Sequence, residues 1–236
     1  GEFYKHEIGD LSNRTEVGRL TLPIFGMDFD PTATTLYALN DELKELGTMS
    51  PNGDFIYIGP SVPLSEHTWT GLAIDPVDGT FFASSSNGME SSLYTINPAT
   101  GAATWVATND QLDVVIDISV NCQGEIYAHE IVTDTIHKFN RTTGEGVLVG
   151  DTGIDSNFAQ GMDFDNRDGT LYAYTYQGNG ANQYGTINLT TGAFTPLNIN
   201  NPQGQFEGAT ATTCFGSIFA DGFEFGDTSE WSDTEP

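Results

Sequence analysis

GMDFDPTATTLYA, Gly26 to Ala38, and GMDFDNRDGTLYA, Gly161 to Ala173, write nearly one phrase twice in a chain of 236 residues. Its last four residues recur in between: TLYA ends at Ala38, TFFA at Ala83, EIYA at Ala128 and TLYA at Ala173, each 45 residues after the last. A fifth copy, SIFA, ends at Ala220, 47 residues further on. Self-similarity at a fixed period of this size marks a repeat architecture. The apolar and polar residues of GMDFD alternate as in a half-buried strand, and TLYAL after it reads as a second.

The second half of each unit repeats as well. It reads LGTMSPNGDFIYIG from Leu46, LYTINPATGAATWVA from Leu93, IHKFNRTTGEGVLVG from Ile136 and YGTINLTTGAFTPLN from Tyr184. Each is a strand, a tight turn carrying Asn or Gly, and a second strand. Four-stranded units of this length are what propeller blades look like in sequence. Four units are complete. The fifth supplies only two strands at the carboxyl end, FEGATATT from Phe206 and GSIFA from Gly216, and the matching hairpin stands at the other end, in FYKHEIGD from Phe3 and TEVGRLTL from Thr15. The fold expected is all-β, a five-bladed β-propeller over residues 1–220. Residues 1–22 form its closing hairpin, and 221–236 a carboxyl-terminal extension. The competing arrangement is an open array in which that hairpin completes a neighbour's blade.

Composition narrows the partners. Seven Lys and Arg against 33 Asp and Glu give a net charge of −26, which repels phosphate backbones and anionic lipid. Nucleic acid and direct membrane insertion are therefore not expected; no run approaches the ~20 apolar residues of a spanning helix. With 38% hydrophobic residues the chain can bury a core. The excess acid suits solubility, salt tolerance and scattered calcium binding. The chain opens GEFYKHEIGD, without an initiating Met or a charged and apolar leader, which reads as a removed signal peptide or a trimmed amino terminus, the absence of an affinity tag favouring the first. Two cysteines permit one disulfide, at home in an oxidising compartment.

The wording resembles the short propeller repeats of secreted bacterial proteins, whose units read G-x-x-x-D-P-x-x-G-x-L-Y-A followed by L-Y-x-I-N-x-x-T-G. The likeness reaches Ala220 and implies the fold; such propellers serve as binding modules, enzymes and scaffolds. The tail DGFEFGDTSEWSDTEP, Asp221 to Pro236, is similar to a DGFE-x-GD-T-S-x-W-S segment at the carboxyl ends of many secreted bacterial proteins. That resemblance implies secretion.

Residues with chemical potential are few. Asp28 and Asp163 occupy equivalent places on innermost strands, where Ala73 stands in the second unit. A shared channel would make them a carboxylate pair, able to hold a cation or to act as acid and base on a glycoside, as in five-bladed glycosidases by analogy. Short Asp side chains at strand ends also satisfy backbone donors. The oxygen-rich turn DNRDGT, with Asp165 and Asp168, suits a weak calcium site or an ordinary turn. His6, His67, His129 and His137 show no paired spacing for zinc. Cys122 and Cys214 each lie six residues before the Ala of their unit. Units three and five are not neighbours in a five-bladed ring, so a bond between them must cross one mouth of the channel. Sequons at Asn13, Asn140 and Asn188 fall in or near outer turns, as glycan acceptors or as plain turn residues. Trp69, Trp105, Tyr174, Tyr176 and Tyr184 are candidates for a sugar-stacking face or for filling between blades.

The function expected is a non-catalytic, secreted, extracellular structural or adhesive subunit. It self-associates into a polymer through Phe223, Phe225 and Trp231 of the tail. A carbohydrate-binding, lectin-like propeller with glycans as partners is the alternative, ahead of a glycoside hydrolase or lyase.

Overall fold

The computed structural model describes residues 2–20, 22–157, 161–178, 182–199 and 208–214. These residues are all-β, without helices, in a propeller-like arrangement of four-stranded blades. Strands β1 (Glu2–Glu7) and β2 (Asp10–Arg19) form an antiparallel hairpin. The first blade is β3 (Ile24–Phe29), β4 (Leu36–Asn40), β5 (Glu45–Met49) and β6 (Phe55–Pro60). The second is β7 (Thr68–Ile74), β8 (Phe81–Ser86), β9 (Ser91–Ile96) and β10 (Ala103–Asn109). The third is β11 (Val115–Val120), β12 (Ile126–Glu130), β13 (Thr135–Phe139) and β14 (Gly146–Asp151). The fourth is β15 (Gly161–Asp165), β16 (Thr170–Tyr176), β17 (Asn182–Ile187) and β18 (Phe194–Ile199). The 45-residue period is thus one antiparallel meander per unit, with β3, β7, β11 and β15 side by side at the hub.

Turn chemistry explains part of the acid. Asp30 ends β3 and its Oδ1 accepts the N–H groups of Thr34 and Thr35; Asp75 after β7 does the same for Val77 and Asp78. In the third blade Asn121 takes this role for Gln123 and Glu125. The outer hairpins turn on Asn97, Asn140 and Asn188, whose Oδ1 atoms hold backbone N–H groups two or three residues on. These are Asx turns, the local bond that makes Asn and Asp favourable at such positions.

Every outermost ladder slips by one residue, at Ile58, Val106, Val149 and Leu197. Beyond the bulge, the edge strand packs on the hairpin turn of the next blade. A Cβ on Gly59 would fall 1.9 Å from the Thr100 carbonyl oxygen, and one on Gly150 1.9 Å from that of Thr191. Only glycine permits that approach. At the boundary of the second and third blades the roles exchange: Ala107 carries the methyl and Gly144 makes the room. The hairpin β1–β2 repeats the pattern, with its slip at Val17 and Gly18 set against the Asn52 carbonyl.

Apolar layers fill the spaces between blades. Phe82, Leu93, Val115, Ile118 and Ala128 form one cluster; Leu39, Leu46, Trp69, Leu72 and Tyr94 form another. Edge-to-face ring pairs, Tyr37 on Phe81 and Tyr127 on Phe164, stand at equivalent boundaries. Five sheets were expected from the sequence; the described residues hold four complete blades and the separate hairpin. Residues 208–214 run along β15 without a ladder, and the expected strand 216–220 and the extension 221–236 lie outside the described residues.

Candidate functional site

Three buried carboxylates lie at the hub, Asp28, Asp117 and Asp163, on β3, β11 and β15. Each bonds its own strand and the segment beyond it, a strand for Asp28 and Asp117 and residues 208–214 for Asp163. Asp28 accepts the N–H of Phe29 at 2.6 Å and, across the blade boundary, that of Ile74 at 2.6 Å. Asp117 accepts from Ile118 at 2.8 Å and from Met162 of the fourth blade at 2.7 Å. Asp163 accepts from Phe164 N–H, from the Ser119 hydroxyl at 2.7 Å, and from both the N–H and the hydroxyl of Thr210. The carboxylates act as staples between adjacent inner strands. A buried polar group without such partners costs ~1–3 kcal/mol, which is why the donors and acceptors meet here.

Burial pushes all three carboxyls above the usual carboxylate range, with Asp28 and Asp117 well above it. The negative charge of Asp163 raises Asp28 and Asp117 further, while the backbone N–H groups pull the other way. Desolvation wins because a water-poor site disfavours the charged form of each carboxyl, and repulsion between them adds to it.

The sequence singled out Asp28 and Asp163, and the structure brings them into one cluster with Asp117. Asp117 escaped notice because it holds the place where the other blades have Gly26, Gly71 and Gly161, each opposite the residue that follows the repeated Ala. Gly71 leaves the space for it: a Cβ there would meet Asp117 Oδ1 at 2.6 Å. The turn after β11 is one residue shorter than that after β3, Asn121 pairing with Glu125 where Asp30 pairs with Thr35, so Ser119 stands in register with Asp28 and equal spacing hides the acid. The signal available was the exchange of Gly for Asp in VIDIS.

The other expected site residues lie apart. Asp165 is held by the Arg167 guanidinium through two contacts of 2.9 and 2.7 Å, which keeps its carboxyl below the usual range. Asp168 accepts the Thr170 N–H at 2.9 Å. The four aspartates expected to hold calcium thus fall into a stapled pair at the hub and a turn closed by arginine. Among the described residues no three His, Cys, Asp or Glu side chains are arranged to hold a metal ion. Asn13, Asn140 and Asn188 are exposed; Asn13 lies in β2, donating to Asp10 at 2.9 Å, rather than in a turn. Phe223, Phe225 and Trp231 lie outside the described residues.

Cys122 and Cys214 form a disulfide with Cα atoms 5.7 Å apart. It reaches from the end of β11 across the fourth blade to residues 208–214, with Cys122 Sγ 3.3 Å from the Asn166 carbonyl. Asn166 N–H donates to the Thr212 hydroxyl alongside. The disulfide is compatible with an extracellular protein. Among the described residues no helix is long and apolar enough to cross a membrane.

The candidate sugar-stacking aromatics divide. Trp69 is fully buried, donating Nε1–H to the Ser61 carbonyl, and Tyr94 packs on it edge to face. Tyr174 and Tyr184 meet the His6 ring of the amino-terminal hairpin, and the Tyr184 hydroxyl accepts the Gly9 N–H. Burial raises both phenols, Tyr184 to about 12. Trp105 alone of the tryptophans in described residues is exposed, on edge strand β10. A cavity of about 790 Å³ lies between the hairpin and the first and fourth blades, lined by His6, Leu11, Met27, Phe29, Tyr174 and Ala209 among others.

Known proteins share this architecture at low identity. A nidogen/laminin complex matches at 15% identity and a TM-score of 0.53, covering 73% of this chain and 64% of that one. A catalytically inactive virginiamycin B lyase from Staphylococcus aureus with quinupristin matches at 14% and 0.53, over 85% and 64%. The PQQ-bound aldose sugar dehydrogenase from Streptomyces coelicolor matches at 13% and 0.50, over 72% and 61%. The chain thus spans less than two thirds of each of these chains, and the likeness is one of fold. No curated protein sequence matches it. A family model described as a repeat of unknown function, DUF6923, matches residues 26–214, and the chain belongs to that family.

Proposed function

We propose that the chain is a secreted, non-catalytic, five-bladed propeller serving as an extracellular structural or adhesive subunit. One observation carries the reading. The buried acids of the hub, where a propeller enzyme would keep free acid and base groups, are bonded to backbone N–H groups of the neighbouring strands. Carboxylates so engaged hold blades in register rather than move protons.

Two features support closure as five blades. Strand β2 repeats the bulge and the glycine contact of a fourth strand, against the first blade. Thr210 receives from Asp163 the staple that Ile74 receives from Asp28. Secretion is supported by the disulfide and by the resemblance of the tail. That tail, with Phe223, Phe225 and Trp231, is the proposed link to a neighbouring copy. Carbohydrate binding is the second reading, favoured by the exposed Trp105 ring.

Negative-stain microscopy of the protein from its source, with and without a calcium chelator, tests the reading. Ordered assemblies are expected, and their loss on removal of residues 221–236 would assign assembly to the tail. Isolated particles under every condition would overturn the structural role and send the search to glycan arrays.

A further inference from the structure

The outer edges of the blades carry a second pattern. In β6, β10 and β14 the two residues before the bulge stand in solvent: Ile56 and Tyr57, Thr104 and Trp105, Val147 and Leu148. The large ones are 53 to 62% exposed, and Leu197 at the bulge of β18 is 48% exposed. These four edge strands contain one charged residue, Asp151 at the last position of β14, in a chain with 33 acids. Natural sheets protect a free edge with charge, above all Lys, or with bulges and proline. Here the bulges are present and the charges are not. The hairpin gives the contrast: at the same place before its bulge β2 carries Thr15 and Glu16, flanked by Arg14 and Arg19.

We infer that the edges of β6, β10 and β14, with Leu197, form a self-association surface whose occupant is a second copy of this chain. Electrostatics selects the occupant. Two molecules of charge −26 repel wherever carboxylates approach within about a Debye length, ~8 Å at physiological ionic strength. Uncharged apolar patches are the surfaces through which identical acidic molecules meet with least repulsion. A cationic partner would be drawn to the carboxylates elsewhere. A neutral glycan would use the rings of Tyr57 and Trp105 and gain little from aliphatic Val147, Leu148 and Leu197. The bulges break continuous backbone pairing, so side-chain burial supplies the attraction and growth into an unlimited sheet is prevented. The inference rests on the reading of the chain as a structural subunit and moves the contact from tail to rim.

Sedimentation velocity of the full chain, over a range of protein and salt concentrations, tests it. The weight-average mass is expected to rise with concentration, and further with salt as repulsion is screened. The triple variant Tyr57→Lys, Trp105→Lys, Leu148→Lys is expected to stay monomeric with an unchanged melting temperature. If the triple variant melts early, Tyr57→Lys and Leu148→Lys singly should each weaken association about tenfold, ~1.4 kcal/mol. A variant that associates like the unaltered chain overturns the rim contact; loss of that association on deleting 221–236 then leaves the structural reading standing on the tail. An unaltered chain that stays monomeric throughout overturns both, and its co-sedimentation with a neutral glucan would give the rim to a glycan.

Discussion

At the hub, Asp28, Asp117 and Asp163 are buried and bonded to backbone beyond their own strands, whereas at the rim Ile56, Trp105 and Leu148 stand half in water. Acid lies inside and apolar surface outside, the reverse of the usual placement. The difference follows from what each strand lacks. Inner strands of adjacent blades share no ladder, so their N–H groups need acceptors, and a short carboxylate bridges the gap. Outer strands have one ladder already and face solvent on the other edge, so only some of their side chains, Ile58, Val106 and Val149 among them, pack on the core, while the residues before the bulge face water.

If that contrast is right, changes at the hub unfold the molecule and changes at the rim do not. The largest effect belongs to the covalent clasp over the hub. Cys122→Ser with Cys214→Ser releases a constraint across a sequence separation of 92 residues and should cost about 4 kcal/mol in urea unfolding, as should reduction of the unaltered protein. Next, Asp28→Ala strands the buried N–H groups of Phe29 and Ile74, and a loss of about 3 kcal/mol is expected. A loss below about 0.5 kcal/mol would deny the staple any structural weight.

Titration sharpens the comparison without removing a residue. The hub carboxyls bind protons more tightly folded than unfolded, so their contribution is complete below the ordinary value of 3.8 and is lost as pH rises through their raised values. Glu125 and Asp165, lowered beside Lys138 and Arg167, act oppositely: their contribution is present above the ordinary carboxylate values and disappears in stronger acid. The melting temperature should therefore rise as pH falls through the raised values of the hub carboxyls and drop again in acid strong enough to protonate Glu125 and Asp165. Asp28→Asn should flatten the rise. A profile unchanged by that substitution would place the pH dependence on surface charge instead. The smallest effect is at the rim, where Trp105→Ala should change stability by less than about 0.5 kcal/mol. A larger loss would mean that the exposed ring packs after all.

Much of this fold is legible in the sequence, because period and turn are local. The spacing of the Ala-ending phrases locates four blades, and Asn with Gly marks their hairpins. The cysteine pair also stands out, since both residues lie six positions before the same landmark. Asp117 is not legible, since its place depends on a turn one residue shorter after β11 and on the empty side of Gly71 across a blade boundary. The rim is illegible for a related reason. A bulge turns strict alternation into a short apolar run, IYI or VLV, which reads as buried strand although two of its residues face water. Trp69 shows the opposite trap: nothing in TWTG distinguishes it from TWVA at Trp105, yet one is fully enclosed and the other is not. Partners distant in sequence decide both.

The link between Cys122 and Cys214 has a consequence for how the molecule wears. It encloses all of the third blade beyond β11 and the whole fourth blade in one covalent loop. A protease that cuts once inside that loop, for instance at Gly178, opens a chain whose two pieces remain tied. The nicked chain keeps its mass until a reductant acts, while the same nick before Cys122 leaves two pieces with no covalent link between them.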